Sequence, residues 1–214
     1  MNQCLLFDCD GTLVDSEWLC NLGLVIQFKE LGVSLDADEL VLRFRGWKLA
    51  RILEILSMEN DLALTDDFIP AYRAVVAQLF LTELKPVDGV LEMLSNMPQM
   101  KAVVSSGPLN KIRQALDVCG LSSYFGPNLY SSYEVGIWKP DPGIYQFAAQ
   151  DMGFANADCI VVEDGLLGVE AGVKAGIQTY FYNPFGEACP FGGVIHFDSM
   201  KVLAELIRAN KAMC

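Results

Sequence analysis

Two aspartates one residue apart, Asp8 and Asp10, follow the apolar run Leu5-Leu6-Phe7 and precede Gly11 and Thr12. Carboxylates that close repel each other, and burial makes it costlier to ionise both. A hard divalent cation such as Mg²⁺ relieves the repulsion, taking oxygens from one or two carboxylates plus substrate phosphate. A second acidic pair, Glu163-Asp164, ends another apolar run and leads into a glycine-rich stretch, Gly165 to Gly172. Glycines at such spacing can cradle a dinucleotide, but two acids there would meet a pyrophosphate with like charge. Ser105-Ser106-Gly107 follow a third run, Ala102-Val103-Val104. A hydroxyl and backbone N–H groups leading into a helix suit phosphate oxygens, and glycine lets the backbone come close. Lys139 stands in Trp138-Lys139-Pro140-Asp141-Pro142. The flanking prolines stiffen the segment, and a rigidly held lysine can neutralise both a phosphoryl group and a carboxylate nucleophile.

These residues need elements to bring them together. Short apolar runs bounded by turn residues read as buried parallel strands, predicted at Leu5–Phe7, Ala102–Val104, Leu129–Ser131, Ile160–Val162 and Thr179–Tyr182. Helical periodicity falls between them, at Val90–Met97, Leu109–Cys119, Pro142–Met152 and Leu167–Ala175, with Met200–Ala212 last. Glycines at 120, 153 and 176 stop three of these helices. Strands alternating with helices predict right-handed crossovers and a doubly wound parallel sheet of the α/β class. In such sheets ligands sit beyond the carboxyl ends of the strands, where every motif above falls. Residues 16–85 break the alternation. Helices are predicted at Glu17–Leu31, Asp36–Phe44, Lys48–Glu59 and Asp67–Phe80, with no convincing strand. The expected organisation is a catalytic α/β core from residues 1–15 and 86–214, with an inserted helical cap over residues 16–85.

The chain of 214 residues is 52% hydrophobic, so it reads as globular, and it is long enough for such a core with one insertion. Its net charge of −12 argues against nucleic acid or an anionic membrane as partner. An anionic small molecule must then be held by local positive charge: metal, lysine or helix N-termini. The seven cysteines form no CxxC pair and several lie in apolar runs, as free thiols of a reducing compartment do. With no signal peptide or apolar span, a cytoplasmic monomer or weak homo-oligomer is expected.

The order and form of the four motifs resemble the haloacid dehalogenase superfamily of phosphatases and phosphomutases, over nearly the whole chain. The resemblance implies that Asp8 is the nucleophile and Asp10 the general acid/base. Ser105 and the Ser106 amide would be phosphate ligands, and Lys139 the lysine that neutralises the phosphoryl group. Mg²⁺ would be held by Asp8, the Asp10 carbonyl and Asp164, with Glu163 supporting Asp164 from behind. The implied fold is a Rossmann-like core with a helical cap. The implied reaction is Mg²⁺-dependent hydrolysis of a small phosphorylated substrate through an aspartyl-phosphate.

Within the cap, Arg43, Arg45, Lys48 and Arg51 cluster around Gly46. The RxRGxK pattern, with Trp138 before Lys139, is similar to the branch holding β-phosphoglucomutases and 6-phosphogluconate phosphatases. Arg45, Gly46 and Lys48 are the candidates for binding the substrate end away from phosphate, which favours a sugar acid over a neutral sugar. A sugar-phosphate mutase is the alternative. Mutases of this branch carry a histidine where this chain has Cys20, which disfavours that reading. The only histidine, His196, lies in a late apolar stretch and reads as structural.

Overall fold

The computed structural model describes residues 3–44 and 47–212. By its contacts the chain forms two compact units, one spanning Ser16–Leu84 and the other made of the segments on either side of it. In chain order the elements are β1 (Cys4–Phe7), α1 (Glu17–Glu30), α2 (Ala37–Phe44), α3 (Leu49–Glu59), α4 (Phe68–Glu83) and α5 (Val90–Ser95). Then come β2 (Met100–Ser105), α6 (Leu109–Val118), α7 (Ser122–Phe125), β3 (Leu129–Ser131), α8 (Ser132–Val135) and α9 (Gly143–Asp151). The chain closes with β4 (Cys159–Glu163), α10 (Leu166–Lys174), β5 (Gln178–Tyr182), β6 (Ile195–Phe197) and α11 (Met200–Ala212).

Six strands form one sheet in the order β3-β2-β1-β4-β5-β6, every neighbouring pair parallel. Strand order reverses beside β1: the chain runs from β1 to β2 and β3 on one side, then crosses back to β4 on the other, which opens a crevice at the carboxyl ends of β1 and β4. All four residues of β1 are fully buried, because strands flank it and helices cover both faces. That is why the run Cys4-Leu5-Leu6-Phe7 shows no polar alternation. One face carries Cys4, Leu6, Ala102, Val104 and Val161 against Ile144, Tyr145 and Ala148 of α9 and Ala171 of α10. On β1 the intervening residue Phe7 meets Phe125 of α7 edge-to-face, ring centres 6.0 Å apart. Strand β6 was not expected from sequence. The exposed His196 interrupts its apolar run, and the histidine ring stands 5.4 Å from that of Phe181. The helices α7 and α8, four residues each, are single turns too short to show a helical period.

The unit Ser16–Leu84 is helical throughout its described elements. Helix α1 packs on α4 and α2. Gly23 allows the approach to α4, since a Cβ there would stand 2.6 Å from Val76 Cγ2 and 3.2 Å from Tyr72 Cε2. Phe28 and Phe68 close the same seam with ring centres 5.3 Å apart. Among the described residues no helix is long and apolar enough to cross a membrane.

Helix α10 lies close on the sheet for an equivalent reason. A Cβ on Gly172 would stand 2.4 Å from Thr179 Oγ1 and 3.2 Å from Val161 Cγ1. Gly172→Val is therefore expected to lower unfolding free energy by about 1–3 kcal/mol through overpacking. A urea melt checks this, and an unchanged midpoint would refute the close contact.

Candidate active site

The DCDGT segment folds as a tight turn directly beyond β1. The Asp8 N–H continues the ladder to Val162 O at 2.9 Å, so Asp8 is placed by the sheet itself. The chain then turns back, with Leu13 and Val14 N–H both donating to Cys9 O. Gly11 takes φ +81°, a left-handed conformation that glycine adopts without strain. A side chain at that position would also collide with Asp164, because a Cβ would stand 2.1 Å from its Oδ2. Thr12 Oγ1 donates to Asp164 Oδ1 at 2.8 Å. Glycine and threonine of the turn thus hold an acid from the tip of β4.

Lys139 lies at the centre of the site, 5% exposed. Its ammonium donates to Asp8 Oδ1 at 2.5 Å, to Glu163 Oε1 at 2.5 Å and to Val104 O at 2.9 Å. An ammonium has three protons, and three acceptors from β1, β2 and β4 segments receive them. Glu163 is bound from every side. Besides Lys139 it accepts from the Tyr145 hydroxyl at 2.6 Å and from Gly165 N at 3.3 Å. A Cβ on Gly168 would stand 1.8 Å from its Oε1, so only glycine leaves room for this carboxylate. The first half of the GxxxG pattern in α10 makes space for an acid, and the second packs the helix on the sheet.

Burial and charge shift these groups in opposing ways. Desolvation, followed by the charge of Glu163, pushes the Asp8 carboxyl up to about 7, with Lys139 acting against the rise. Burial alone would strip the proton from Lys139, but Asp8 and Glu163 outweigh it and hold the amine well above its ordinary range. Burial and the neighbouring Glu163 charge push the Tyr145 hydroxyl well up, so it stays a donor. The Cys9 thiol is likewise raised, by burial and then by Asp10 and Asp8, which keeps it from acting as a thiolate nucleophile.

Carboxylate oxygens of Asp8, Glu163 and Asp164 lie within 4.8 Å of one another. One lysine charge faces three acids. The remaining deficit and the all-oxygen donor set fit a hard divalent cation. Glu163 is already engaged by Lys139, Tyr145 and Gly165, which leaves Asp8 and Asp164 as the side chains suited to hold it.

Ser105, fully buried, ends β2, and its Oγ accepts from Gly107 N at 3.0 Å. The Ser131 hydroxyl donates to Gly107 O at 2.6 Å and pins the same loop. Ser106 is half-buried between them. Asp10 is met by Lys111 of α6, Nζ to Oδ1 at 2.7 Å. Sequence reasoning assigned no role to Thr12, Lys111 or Tyr145. Lys111 carried one signal, a cation in a first helical turn. Tyr145 carried none, since an inward tyrosine reads as core.

Arg45 and Gly46 fall outside the described residues. Lys48 belongs to the helical unit, exposed at the residue before α3. Arg43 makes a two-pronged pair with Glu59, and Arg51 pairs with Glu54 at 2.5 Å. The cation cluster therefore divides: two members are committed to carboxylates of their own unit.

A family model described as haloacid dehalogenase-like hydrolase matches residues 3–176. The chain is 36% identical to a 6-phosphogluconate phosphatase of Escherichia coli (strain K12), covering 97% of this chain and 96% of the relative. It superposes on a haloacid dehalogenase-like protein of Agrobacterium tumefaciens with TM-score 0.83 and 25% identity, covering 99% and 100% of the two chains. A putative β-phosphoglucomutase from Thermotoga maritima shares the fold at TM-score 0.76 and 23% identity, over 97% and 99%.

Removing the lysine charge is the most direct probe of the buried cluster. Lys139→Met is expected to destabilise the protein by about 3–5 kcal/mol, because two buried carboxylates lose their counter-ion. Urea unfolding in the presence of chelator reads the loss. Wild-type stability would mean that the ammonium is not what lets these acids be buried.

Proposed function

The chain belongs to the haloacid dehalogenase-like hydrolase family, and from that premise we propose a Mg²⁺-dependent phosphatase acting on a small phosphorylated sugar or sugar acid. The observation that carries this reading is the junction of Asp8, Lys139 and Glu163, with Asp164 alongside, at the crevice of the sheet. The kinship to a 6-phosphogluconate phosphatase over nearly both full lengths supports the substrate class.

Asp8 attacks phosphorus through a carboxylate oxygen, and the P–O bond to the substrate alcohol breaks as the aspartyl-phosphate forms. The Asp10 carboxyl gives its proton to the departing oxygen. Asp10 then takes a proton from water as that water attacks phosphorus, releasing inorganic phosphate and restoring Asp8. The Ser105 hydroxyl and the Ser106 N–H donate to the phosphoryl oxygens. Lys139 keeps Asp8 in its carboxylate form, and it reaches a phosphoryl oxygen by giving up one of its three present acceptors. Mg²⁺ held by Asp8, the Asp10 carbonyl and Asp164 would supply Lewis-acid charge against the phosphoryl oxygens. The helical unit is assigned the role of a cap that excludes water during the reaction.

The test is phosphate release from a panel of sugar phosphates and sugar-acid phosphates. Turnover is expected with Mg²⁺ and none with excess chelator. Asp8→Asn is expected to fold and to lose activity by about a thousandfold or more. Full activity in chelator, or near-normal turnover by Asp8→Asn, refutes the mechanism. An isomeric sugar phosphate appearing in place of free phosphate reassigns the protein as a mutase.

Substrate choice is assigned to the cap cations. Of the described members of the 43–51 cluster, Arg43 and Arg51 are engaged locally, which leaves Lys48 to meet a substrate carboxylate, alongside Arg45. Lys48→Ala is expected to raise KM for a sugar-acid phosphate roughly tenfold, the loss of one charged contact, with kcat retained. For the matched neutral sugar phosphate the change should be small. Equal effects on both substrates would return Lys48 to an ordinary surface residue.

A further inference from the structure

The lysine beside Asp10 is not explained by helix stability. Lys111 stands in the first turn of α6, where unpaired N–H groups carry positive potential and a cation is disfavoured. No acidic residue in that turn offsets it. Its pair with Asp10 has side chains 25% and 31% exposed, and ion pairs this open to water contribute little to stability. The position of the pair is the informative feature. A Cβ on Gly107 would stand 3.3 Å from Ser105 Oγ, 3.6 Å from Asp10 Oδ2 and 3.8 Å from Lys111 Cδ. The hydroxyl that closes β2, the carboxylate of Asp10 and the stem of Lys111 therefore surround one point, and glycine keeps that point clear.

An aspartate side chain has several staggered rotamers to choose from. Asp8, Glu163 and Asp164 crowd the neighbouring strand tips with like charge, which drives an unrestrained carboxylate toward solvent. We propose that Lys111 is a positioning residue that fixes the rotamer of Asp10, holding its carboxyl beside an ester seated at Ser105. In that place one group serves two steps. It gives a proton to the leaving oxygen as the P–O bond breaks, and it takes a proton from water as the aspartyl-phosphate is hydrolysed. The kinetic consequence rests on the phosphatase reading, and the placement does not.

Lys111→Met and Lys111→Arg test this in the full chain with Mg²⁺. With an alkyl phosphate ester, Lys111→Met is expected to lower kcat about tenfold to a hundredfold, the scale of a misplaced acid/base group. KM should stay near the wild-type value, and Lys111→Arg should restore much of the loss. p-Nitrophenyl phosphate separates the steps, because its phenolate leaves without being protonated. Its pre-steady-state burst should persist in Lys111→Met while steady-state turnover falls. A raised KM with kcat retained, equal loss of burst and turnover, or no kinetic change overturns the proposal. A crystal structure of Lys111→Met reads the placement without any substrate: Asp10 is expected in a different rotamer, and an unmoved Asp10 overturns it. If the wild type cleaves no phosphate ester at all, the phosphatase reading fails, while the structure of the variant still decides whether Lys111 places Asp10.

Discussion

The ammonium of Lys139 is the contact on which the rest of this structure depends. It binds Asp8, Glu163 and Val104 O, and so ties together the carboxyl ends of β1, β2 and β4, the three strands at the centre of the sheet. Two acids 8% and 2% exposed could not share that space as carboxylates without it. The dependence runs the other way as well, since an isolated lysine 5% exposed would lose its proton. Each charge is the condition for burying the others. Much of the surrounding structure serves that arrangement. Gly168 leaves room for the Glu163 carboxylate, Tyr145 orients it, and Pro140 and Pro142, which follow Lys139, stiffen the chain that carries it.

The sheet order explains why this knot forms where it does. The chain passes from β1 to β2 and β3 on one side and returns from β3 to β4 on the other, so β1 and β4 are neighbours with no direct connection between them. The loops after these strands therefore converge, each adding a different chemical type. The first adds carboxylates and a threonine, the second hydroxyl and amide groups, and the last a further acid pair. Among these side chains the site is short of positive charge. That shortage makes it receptive first to a divalent cation and then to a phosphoryl group, in a protein whose net charge of −12 would otherwise repel a phosphate.

The strands were legible in sequence where burial on both faces made them uniformly apolar, as at Cys4 to Phe7 and Cys159 to Val162. They were not legible where an exposed polar residue interrupts the run, as His196 does at Ile195 to Phe197. The acids stood out because DxDGT follows an apolar strand; a DxD pair alone would more often be an aspartate turn. What escaped were contacts made across the fold. Nothing near Tyr145 in the chain announces that its hydroxyl meets Glu163, eighteen residues away. The cation cluster of residues 43–51 shows the converse difficulty. Arg51 with Glu54 follows a helical spacing that can be read directly. Arg43 with Glu59 joins two helices and needs the packing of that unit to be known. Charge density in sequence marked a region, and pairing in space divided it.

Lys111 belongs to the same class of residue as the strained or misplaced groups that functional sites tolerate. A cation in the first turn of a helix costs on the order of 0.3–1 kcal/mol in exposed settings, and Asp10 returns only part of that through a half-exposed pair. The two lysines of the site thus divide the two aspartates of the DxD pair between them. Lys139 is buried and donates to three acceptors, which suits a partner for Asp8, the residue proposed as the nucleophile. Lys111 is more open and reaches from a helix, which suits a partner for Asp10, the residue proposed to exchange protons with the leaving group and then with water. The difference in burial between the two pairs, 6% and 12% side-chain exposure against 25% and 31%, matches the different roles proposed for their aspartates.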